Sequence, residues 1–179
     1  MILYHGSTIR VEKPLLTKCR SNTDFGRGFY TTTSKEQAVK WAKLKKQREG
    51  KGIAVVTVYE IDESLFDNTE FEVLKFIKAD KNWLDFVFGN RKGLKSKFYD
   101  IVFGPVANDR LFATITLYEQ GILTADAAIE QLKTYLLFNQ VSFNSQKAID
   151  FLRYKSQEVV SEQFAVSGSD KSECRNTHD

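Results

Sequence analysis

The sequence predicts a single α+β domain in which short strands and amphipathic helices follow one another without regular βαβ alternation. Two local patterns support this class: a β-branched run at 53–60 and a helical segment that begins at Ser34. The chain has 179 residues, 42% of them apolar and fourteen of them phenylalanine, which is enough for one core. We assign residues 1–158 to the domain and residues 159–179, which are serine-rich and lack periodicity, to a disordered tail.

Local signals predict the elements in chain order. The apolar opening predicts a strand that ends at His5, and a second strand ends at Tyr30. Ser34 with Gln37 three residues later forms a capping box, which predicts a helix over 34–48. Turn residues, caps and periodicity then predict a strand over 53–60, an edge segment at 66–68, helices over 69–78 and 82–88, a strand over 101–103, helices over 111–118 and 125–138, a strand over 140–143 and a helix over 145–152.

Residues 24–41 combine the features of one wall of a nucleotide pocket. Gly26 and Gly28 let the backbone approach a ligand closely or take positive φ. Trp41 lies about two turns into the helix, so it and Tyr30 are expected to face one flat ligand. Trp41 also fits the buried stripe of an amphipathic helix, and both interpretations stay open at this point.

A polar group of residues ends the first strand. His5, Gly6 and Ser7 lie where ligand contacts are common, and His5 is one of two histidines in the chain. Without a side chain, Gly6 exposes a backbone N–H and C=O that can pair with a carboxamide in both directions. A structural role for a lone histidine is the competing interpretation.

These motifs resemble a known family. His-Gly-Ser followed by Phe-Gly-Arg-Gly-Phe-Tyr is similar to the diphtheria-toxin and poly(ADP-ribose) polymerase branch of ADP-ribosyltransferases, which has a His-Tyr-Glu signature. With Gly-Pro-Val-Ala-Asn-Asp-Arg and Gln-Val-Ser-Phe, they resemble more closely a small bacterial family assigned to that fold, over roughly residues 2 to 154. The resemblance implies a split β-sheet core with flanking helices and NAD in the cleft. Members are often encoded beside antitoxin-like partners, which implies a toxin of a toxin–antitoxin or phage-defence system.

The resemblance also implies residue roles. His5 corresponds to the histidine that binds the adenosine ribose of NAD, and Gly6 to the backbone that binds the nicotinamide amide. Tyr30 and Trp41 correspond to the two aromatic residues that stack on nicotinamide. Gln140 stands where the family usually has glutamate, and it completes the expected catalytic set with His5 and Tyr30. Further residues expected at the cofactor are Ser7, Phe25 and Gly28.

The glutamine at position 140 has a chemical consequence. Breaking the glycosidic bond of NAD develops positive charge on the ribose, and a carboxylate would both hold the 2′-hydroxyl and stabilise that charge. Gln140 can hold the hydroxyl without supplying the charge, so slow turnover is expected. A catalytically silent module that binds NAD or ADP-ribose and an NAD glycohydrolase are the alternatives. An ordinary polar residue at a strand start is the structural interpretation.

A second cluster of candidates follows the strand over 101–103. Gly-Pro ends that strand, and Asn108, Asp109 and Arg110 then lie on a loop. Asp109 is a candidate for the missing carboxylate, and Arg110 is a candidate for pairing with a pyrophosphate. An Asx turn or a helix cap explains the same residues structurally, so Asn108 and Arg110 are kept as secondary cofactor contacts.

Charge and composition limit the kinds of partner expected for this protein. The net charge is +3, and basic residues crowd the first long helix. These charges fit the phosphates of a nucleic acid or simply a solvated helix face, so a nucleic acid and a target protein both remain acceptor candidates. Cys19 and Cys174 have no metal-ligand spacing, and no secretory signal or membrane span precedes the domain, so we expect no metal, no membrane contact and a cytoplasmic location. Gly26-Arg-Gly28 lacks the third glycine of a dinucleotide fingerprint, which disfavours a Rossmann fold.

Overall fold

The computed structural model describes residues 1–94, 97–106, 109–133 and 138–161. Its strands are β1 (Ile2–Ser7), β2 (Phe29–Thr32), β3 (Val55–Glu60), β4 (Val73–Lys75), β5 (Ile101–Pro105), β6 (Asn139–Phe143) and β7 (Arg153–Val159). Its helices are α1 (Lys35–Glu49), α2 (Lys81–Arg91), α3 (Asp109–Glu119), α4 (Ala125–Lys133) and α5 (Gln146–Ile149), with 3-10 turns at Leu16–Lys18 and Glu63–Asp67. The predicted α+β class is confirmed.

The strands form one mixed sheet with the order β4-β5-β6-β2-β1-β3-β7. Only β4 and β5 pair in parallel, and the other neighbours are antiparallel. The junction between β1 and β2 is narrow, because these strands are in register at Tyr4 and Thr32 alone, whereas β1 and β3 pair at six positions. The sheet therefore consists of two well-paired parts joined by one short contact.

Helix α1 forms where its capping signals lie. The Ser34 hydroxyl accepts a hydrogen bond from the Gln37 N–H at 3.2 Å, and Gly50 ends the helix at φ +65°. The buried residues of the helix are Ala38 and Ala42, which pack on β1 at Gly6. A Cβ on Gly6 would overlap the carbonyl oxygen of Ala38, so this glycine is required for the helix to approach the strand.

Two buried clusters cover the two faces of the sheet. The larger one contains Leu3, Phe29, Tyr59 and Phe143, and the smaller one is built around Trp83. Neighbouring residues of β5 point into different clusters: Ile101 belongs to the larger and Val102 to the smaller. The central strands are thus covered on both sides, which fixes the position of the strand ends.

The helix expected over 69–78 is wrong. Residues Val73–Lys75 form β4, which pairs in parallel with Ile101–Phe103 of β5. Tertiary pairing overrides the local helical spacing, because the buried strand β5 offers a free edge there. The edge segment expected at 66–68 is instead the end of the 3-10 turn Glu63–Asp67.

The last strand was not expected from the sequence. After α5, the chain forms β7, which pairs antiparallel with β3 and ends with the pair Val55–Val159. The domain boundary expected between residues 158 and 159 therefore falls at the end of this strand. The remainder of the expected tail, residues 162–179, lies outside the described residues.

Candidate functional site

A groove of about 750 Å³ opens beside the junction of β1 and β2. Its walls are the C-terminal part of β1, the whole of β2, the loop that follows β1, and helix α1. The volume lies within the range of about 300–1,000 Å³ that is usual for small-molecule sites. Five of the residues that the sequence singles out line this groove together: His5, Gly6, Tyr30, Trp41 and Gln140.

The backbone of Gly6 faces the groove. Met1 and Ile61 exchange backbone hydrogen bonds of 2.8 and 3.0 Å, so the odd-numbered residues of β1 direct their polar groups to β3. The even-numbered residues therefore direct theirs to β2, as the Tyr4–Thr32 pair shows. The ladder stops at that pair, and β2 supplies no ladder partner for Gly6. Its N–H and C=O are consequently presented at the open side of β1.

His5 takes the place of the missing ladder contact. Its Nδ1 lies 2.7 Å from the carbonyl oxygen of Tyr30, and its ring packs on Phe29 with centroids 4.4 Å apart. Because a carbonyl only accepts, Nδ1 must carry the hydrogen. Burial, followed by the charge of Lys45, lowers the pKa of His5 to about 4, while the bond to Tyr30 opposes this. His5 is thus neutral at pH 7, and Nε2 is a hydrogen-bond acceptor.

The Tyr30 side chain is fixed by hydrogen bonds at its hydroxyl and by packing of its ring. Its hydroxyl donates to the carbonyl oxygen of Gly26 at 2.8 Å and accepts from the N–H of Phe25 at 2.8 Å. The Phe25 ring packs behind it, with centroids 6.4 Å apart and an interplanar angle of 30°. Burial raises the pKa of the Tyr30 phenol, which therefore stays protonated. One ring face is supported by the core, and the ring borders the groove.

Gln140 lines the groove and contains a buried, unpartnered donor. It lies on β6 between Thr32 of β2 and Gly104 of β5, and it is 5% exposed. Within the described part of the chain, its buried Nε2 has no hydrogen-bond partner. Leaving such a donor unsatisfied costs about 1–3 kcal/mol, so an acceptor on a bound ligand would recover that free energy. We call His5, Gly6, Tyr30 and Gln140 the floor of the groove.

Trp41 lies on the α1 wall and not in the core. Its side chain is 47% exposed, so the buried-stripe interpretation is wrong for Trp41, although it is correct for Ala42. The guanidinium carbon of Arg48 lies 5.8 Å from the centroid of the indole ring, a cation–π contact. The indole therefore borders the groove with much of its surface in solvent.

The other expected cofactor residues have mixed positions. Ser7 and Gly28 line the groove, although the Ser7 hydroxyl donates to its local neighbour, the Ile9 carbonyl, at 2.5 Å. Phe25 is 1% exposed and lies in the core behind Tyr30, so its observed contact is with that ring and not with the groove. Asn108 lies outside the described residues. The side chains of Asp109 and Arg110 also lie outside the described part, although their backbone forms the start of α3.

Comparison with known proteins gives one result. A model of the family described as "Protein of unknown function (DUF3990)" matches residues 1–154. The chain belongs to the DUF3990 family. No curated protein matches the sequence. The matched region contains the whole groove and ends inside β7 of this DUF3990 member.

Sequence reasoning missed the loop of this DUF3990 member that carries positive charge to the groove. Four exposed basic residues of this loop line the groove, and we call them the basic rim: Arg10, Lys13, Lys18 and Arg20. Between positions 10 and 20 the loop contains one acidic residue, Glu12. A local excess of basic residues between positions 10 and 20 was the available signal.

Two kinds of feature are not found among the described residues. No three His, Cys, Asp or Glu side chains within the described ranges gather as a metal-binding group would. In the same ranges, no helix is both long and apolar enough to cross a membrane.

Proposed function

We propose that this protein is an NAD-dependent ADP-ribosyltransferase that transfers ADP-ribose to a macromolecular acceptor. The observation that carries the proposal is the buried, unpartnered Nε2 of Gln140, in a groove that the backbone of Gly6 also lines. Both groups need a polar ligand, and NAD offers a carboxamide and ribose hydroxyls. The motif resemblance points to the same ligand.

Each part of NAD has a matching group on the floor. The carboxamide pairs with the N–H and C=O of Gly6, while the nicotinamide ring stacks on Tyr30. A hydroxyl of the nicotinamide ribose accepts from Nε2 of Gln140. A hydroxyl of the adenosine ribose donates to Nε2 of His5, which is neutral and therefore able to accept.

The α1 wall completes the proposed site. Trp41 closes the nicotinamide position from the groove mouth, with Arg48 already over its ring. Lys45 lines the groove and its charge acts on His5, so it is near enough to the adenosine end to bind the pyrophosphate. The site thus combines a neutral floor with a cation for the phosphates.

The reaction breaks the bond between C1′ of the nicotinamide ribose and the ring nitrogen. The bonding electron pair leaves with nicotinamide, which becomes neutral, and positive charge develops on the ribose. A nucleophilic nitrogen or oxygen of the acceptor then forms a bond to C1′ and loses its proton to water. Gln140 orients the ribose but supplies no negative charge, so turnover is slow relative to a glutamate enzyme.

The same amide supports a second candidate, a module that binds NAD or ADP-ribose without turnover. This candidate follows from Gln140 occupying the position where a carboxylate would stabilise the charge. With water as the acceptor, the protein would instead be an NAD glycohydrolase. Release of nicotinamide from NAD separates the silent module from the two enzymes, and labelling of a macromolecule separates the transferase from the glycohydrolase.

Three variants test the proposal on the full chain. Tyr30→Ala should abolish nicotinamide release and the stabilisation by NAD, which is about 2.7 kcal/mol at a hundred times the dissociation constant. Tyr154→Ala is the control, because this tyrosine is exposed on β7 away from the groove. Gln140→Glu should raise nicotinamide release by about 10²-fold. Unchanged release in Tyr30→Ala would remove the ring from the site.

The biological part of the proposal is a cytoplasmic bacterial toxin with a small antitoxin partner. Its support is the motif resemblance and the slow, controllable chemistry expected of Gln140. The same variants serve as probes, because induced expression should arrest bacterial growth with the wild-type chain and not with Tyr30→Ala at equal protein level. Growth arrest by both would show that NAD chemistry is not the cause.

A further inference from the structure

We infer that the acceptor is a single-stranded nucleic acid whose phosphates bind the basic rim. This inference rests on the proposed function and specifies its substrate class. Arg10, Lys13, Lys18 and Arg20 all lie on the loop after β1 and line the same groove as the floor and the α1 wall. A strand held there would present its nucleophile to the C1′ carbon above the floor.

The rim carries charge that the protein itself leaves uncompensated. None of its four side chains has a carboxylate within 4.0 Å among the described residues, and the acidic residues of the same loop are Glu12 and Asp24. The nearby carboxylate of Asp24 is already bound to Arg91, at 2.8 Å from Nε and 2.7 Å from Nη2. The rim therefore has a net positive charge at the groove.

Most lysines elsewhere on the described surface lie close to a carboxylate. Eight of them lie within 2.5 to 3.8 Å of a carboxylate: Lys35, Lys40, Lys75, Lys81, Lys92, Lys97, Lys147 and Lys155. Such exposed pairs add little stability, but they cancel charge locally. The rim is therefore a region where positive charge is concentrated and not dispersed, which favours a polyanion.

NAD does not account for this charge. Its two phosphate charges are partly offset by the positive nicotinamide ring, and Lys45 on α1, whose charge acts on His5, is already assigned to its pyrophosphate. The rim also exposes apolar surface beside the cations, since Ile9 is 62% and Leu15 is 45% exposed on the groove wall. Cations next to apolar or aromatic surface fit a phosphate backbone with stacked bases.

An unpaired strand fits better than a duplex. The floor lies inside the groove, where Gly6 and Gln140 are buried and His5 and Tyr30 are half-buried. A base stacked inside a duplex cannot reach such a site without being extruded. A single strand enters the groove without that cost. The half-exposed indole of Trp41 at the groove mouth adds an aromatic surface next to the path of the strand.

Binding of a fluorescein-labelled twelve-nucleotide strand, as DNA and as RNA, tests the inference by anisotropy without NAD. The logarithm of the association constant should fall linearly with the logarithm of salt concentration, by about 0.7 for each phosphate contacted. The triple variant Lys13→Gln, Lys18→Gln, Arg20→Gln should reduce that slope by about 2. The control triple variant Lys75→Gln, Lys81→Gln, Lys155→Gln removes the same charge away from the groove and should leave the slope unchanged.

The possible outcomes separate this inference from the proposed function. Equal weakening by both triple variants, or binding of an acidic peptide in place of the strand, would overturn the nucleic-acid acceptor. In the rim variant, stabilisation by NAD should persist, since none of the three substituted residues is assigned to NAD. Loss of strand binding with NAD stabilisation intact supports the inference. A wild-type chain that binds the strand but neither binds nor consumes NAD would instead overturn the proposed function.

Discussion

The floor and the basic rim of the groove recognise ligands by opposite means. The floor residues lie on strands β1, β2 and β6, are largely buried, and present neutral hydrogen-bonding groups at fixed positions. The rim residues lie on a loop, are exposed, and act through charge. Neutral groups in fixed positions discriminate between ligands, whereas clustered charges attract any polyanion and weaken as salt rises.

This difference predicts different tolerance to substitution. A methyl group added at Gly6 of the floor has no space, while the rim can lose charges with little effect on folding. Substitutions on the floor should therefore change stability and ligand recognition together. Those on the rim should change association alone.

The largest effect is expected for Gly6→Ala. The new Cβ would overlap the Ala38 carbonyl and lie 2.9 Å from the Ala42 nitrogen, so α1 would have to move away from β1. We expect a loss of about 3 kcal/mol or more in the free energy of unfolding, measured with denaturant. Gly89→Ala in α2 is the matched control, since a Cβ there has no neighbour within 4 Å and should stabilise the helix by about 1 kcal/mol. Equal stability of the two variants would contradict the close approach of α1.

The next effect concerns the pH dependence contributed by His5. Its pKa is about 4 in the fold, below the ordinary value of 6.5, so the unfolded chain binds the proton first as pH falls. Stability should therefore decrease by about 2 to 3 kcal/mol from pH 7 to pH 4 and level off below that. This part of the profile should be missing in His5→Asn and retained in His178→Asn. Identical profiles for wild type and His5→Asn would show that the imidazole is not held neutral.

The smallest effect on stability is expected at the boundary between floor and rim. Asp24→Asn removes the charge partner of Arg91, and because their side chains are 17% and 14% exposed we expect a loss of about 1–2 kcal/mol. Loss of the Asp24 negative charge beside the groove should also tighten binding of the labelled strand, so stability and affinity should move in opposite directions. Asp67→Asn breaks the exposed pair with Lys75 and should change stability by less than about 0.5 kcal/mol, with no change in strand binding. A parallel loss of affinity in Asp24→Asn would place this carboxylate in direct ligand contact.

Part of this arrangement follows from the sequence because its causes are local. Ser34 and Gly50 mark the ends of α1 through capping and a left-handed backbone, and the structure places both caps there. The motif resemblance places His5 and Tyr30 in one site, and both line the groove, where the bond from Nδ1 to the Tyr30 carbonyl joins them. Strand β2 continues to Thr32, so the expectation that it ends at Tyr30 is wrong. The unsatisfied amide of Gln140 was not foreseeable, because it depends on what the neighbouring strands leave unbonded.

The elements that were missed depend on distant partners. Residues of β4 have helical spacing, but the edge of β5 recruits them as a parallel strand. Strand β7 is mostly exposed and lacks apolar alternation, so pairing with β3 defines it and its side chains do not. In the sequence, the residues of the basic rim are only scattered basic residues. They line one groove because of the path that the loop takes around it.

Because β1 and β2 pair at Tyr4 and Thr32 alone, Gly6 has no ladder partner on β2. A planar amide offers one donor and one acceptor, as the backbone of the missing ladder partner would. A bound molecule with an amide would thus take part in the hydrogen bonding of the sheet. It would join the two well-paired parts of the sheet in one continuous ladder. Binding of that molecule would then couple all the strands of the sheet, from the β4 edge to the β7 edge.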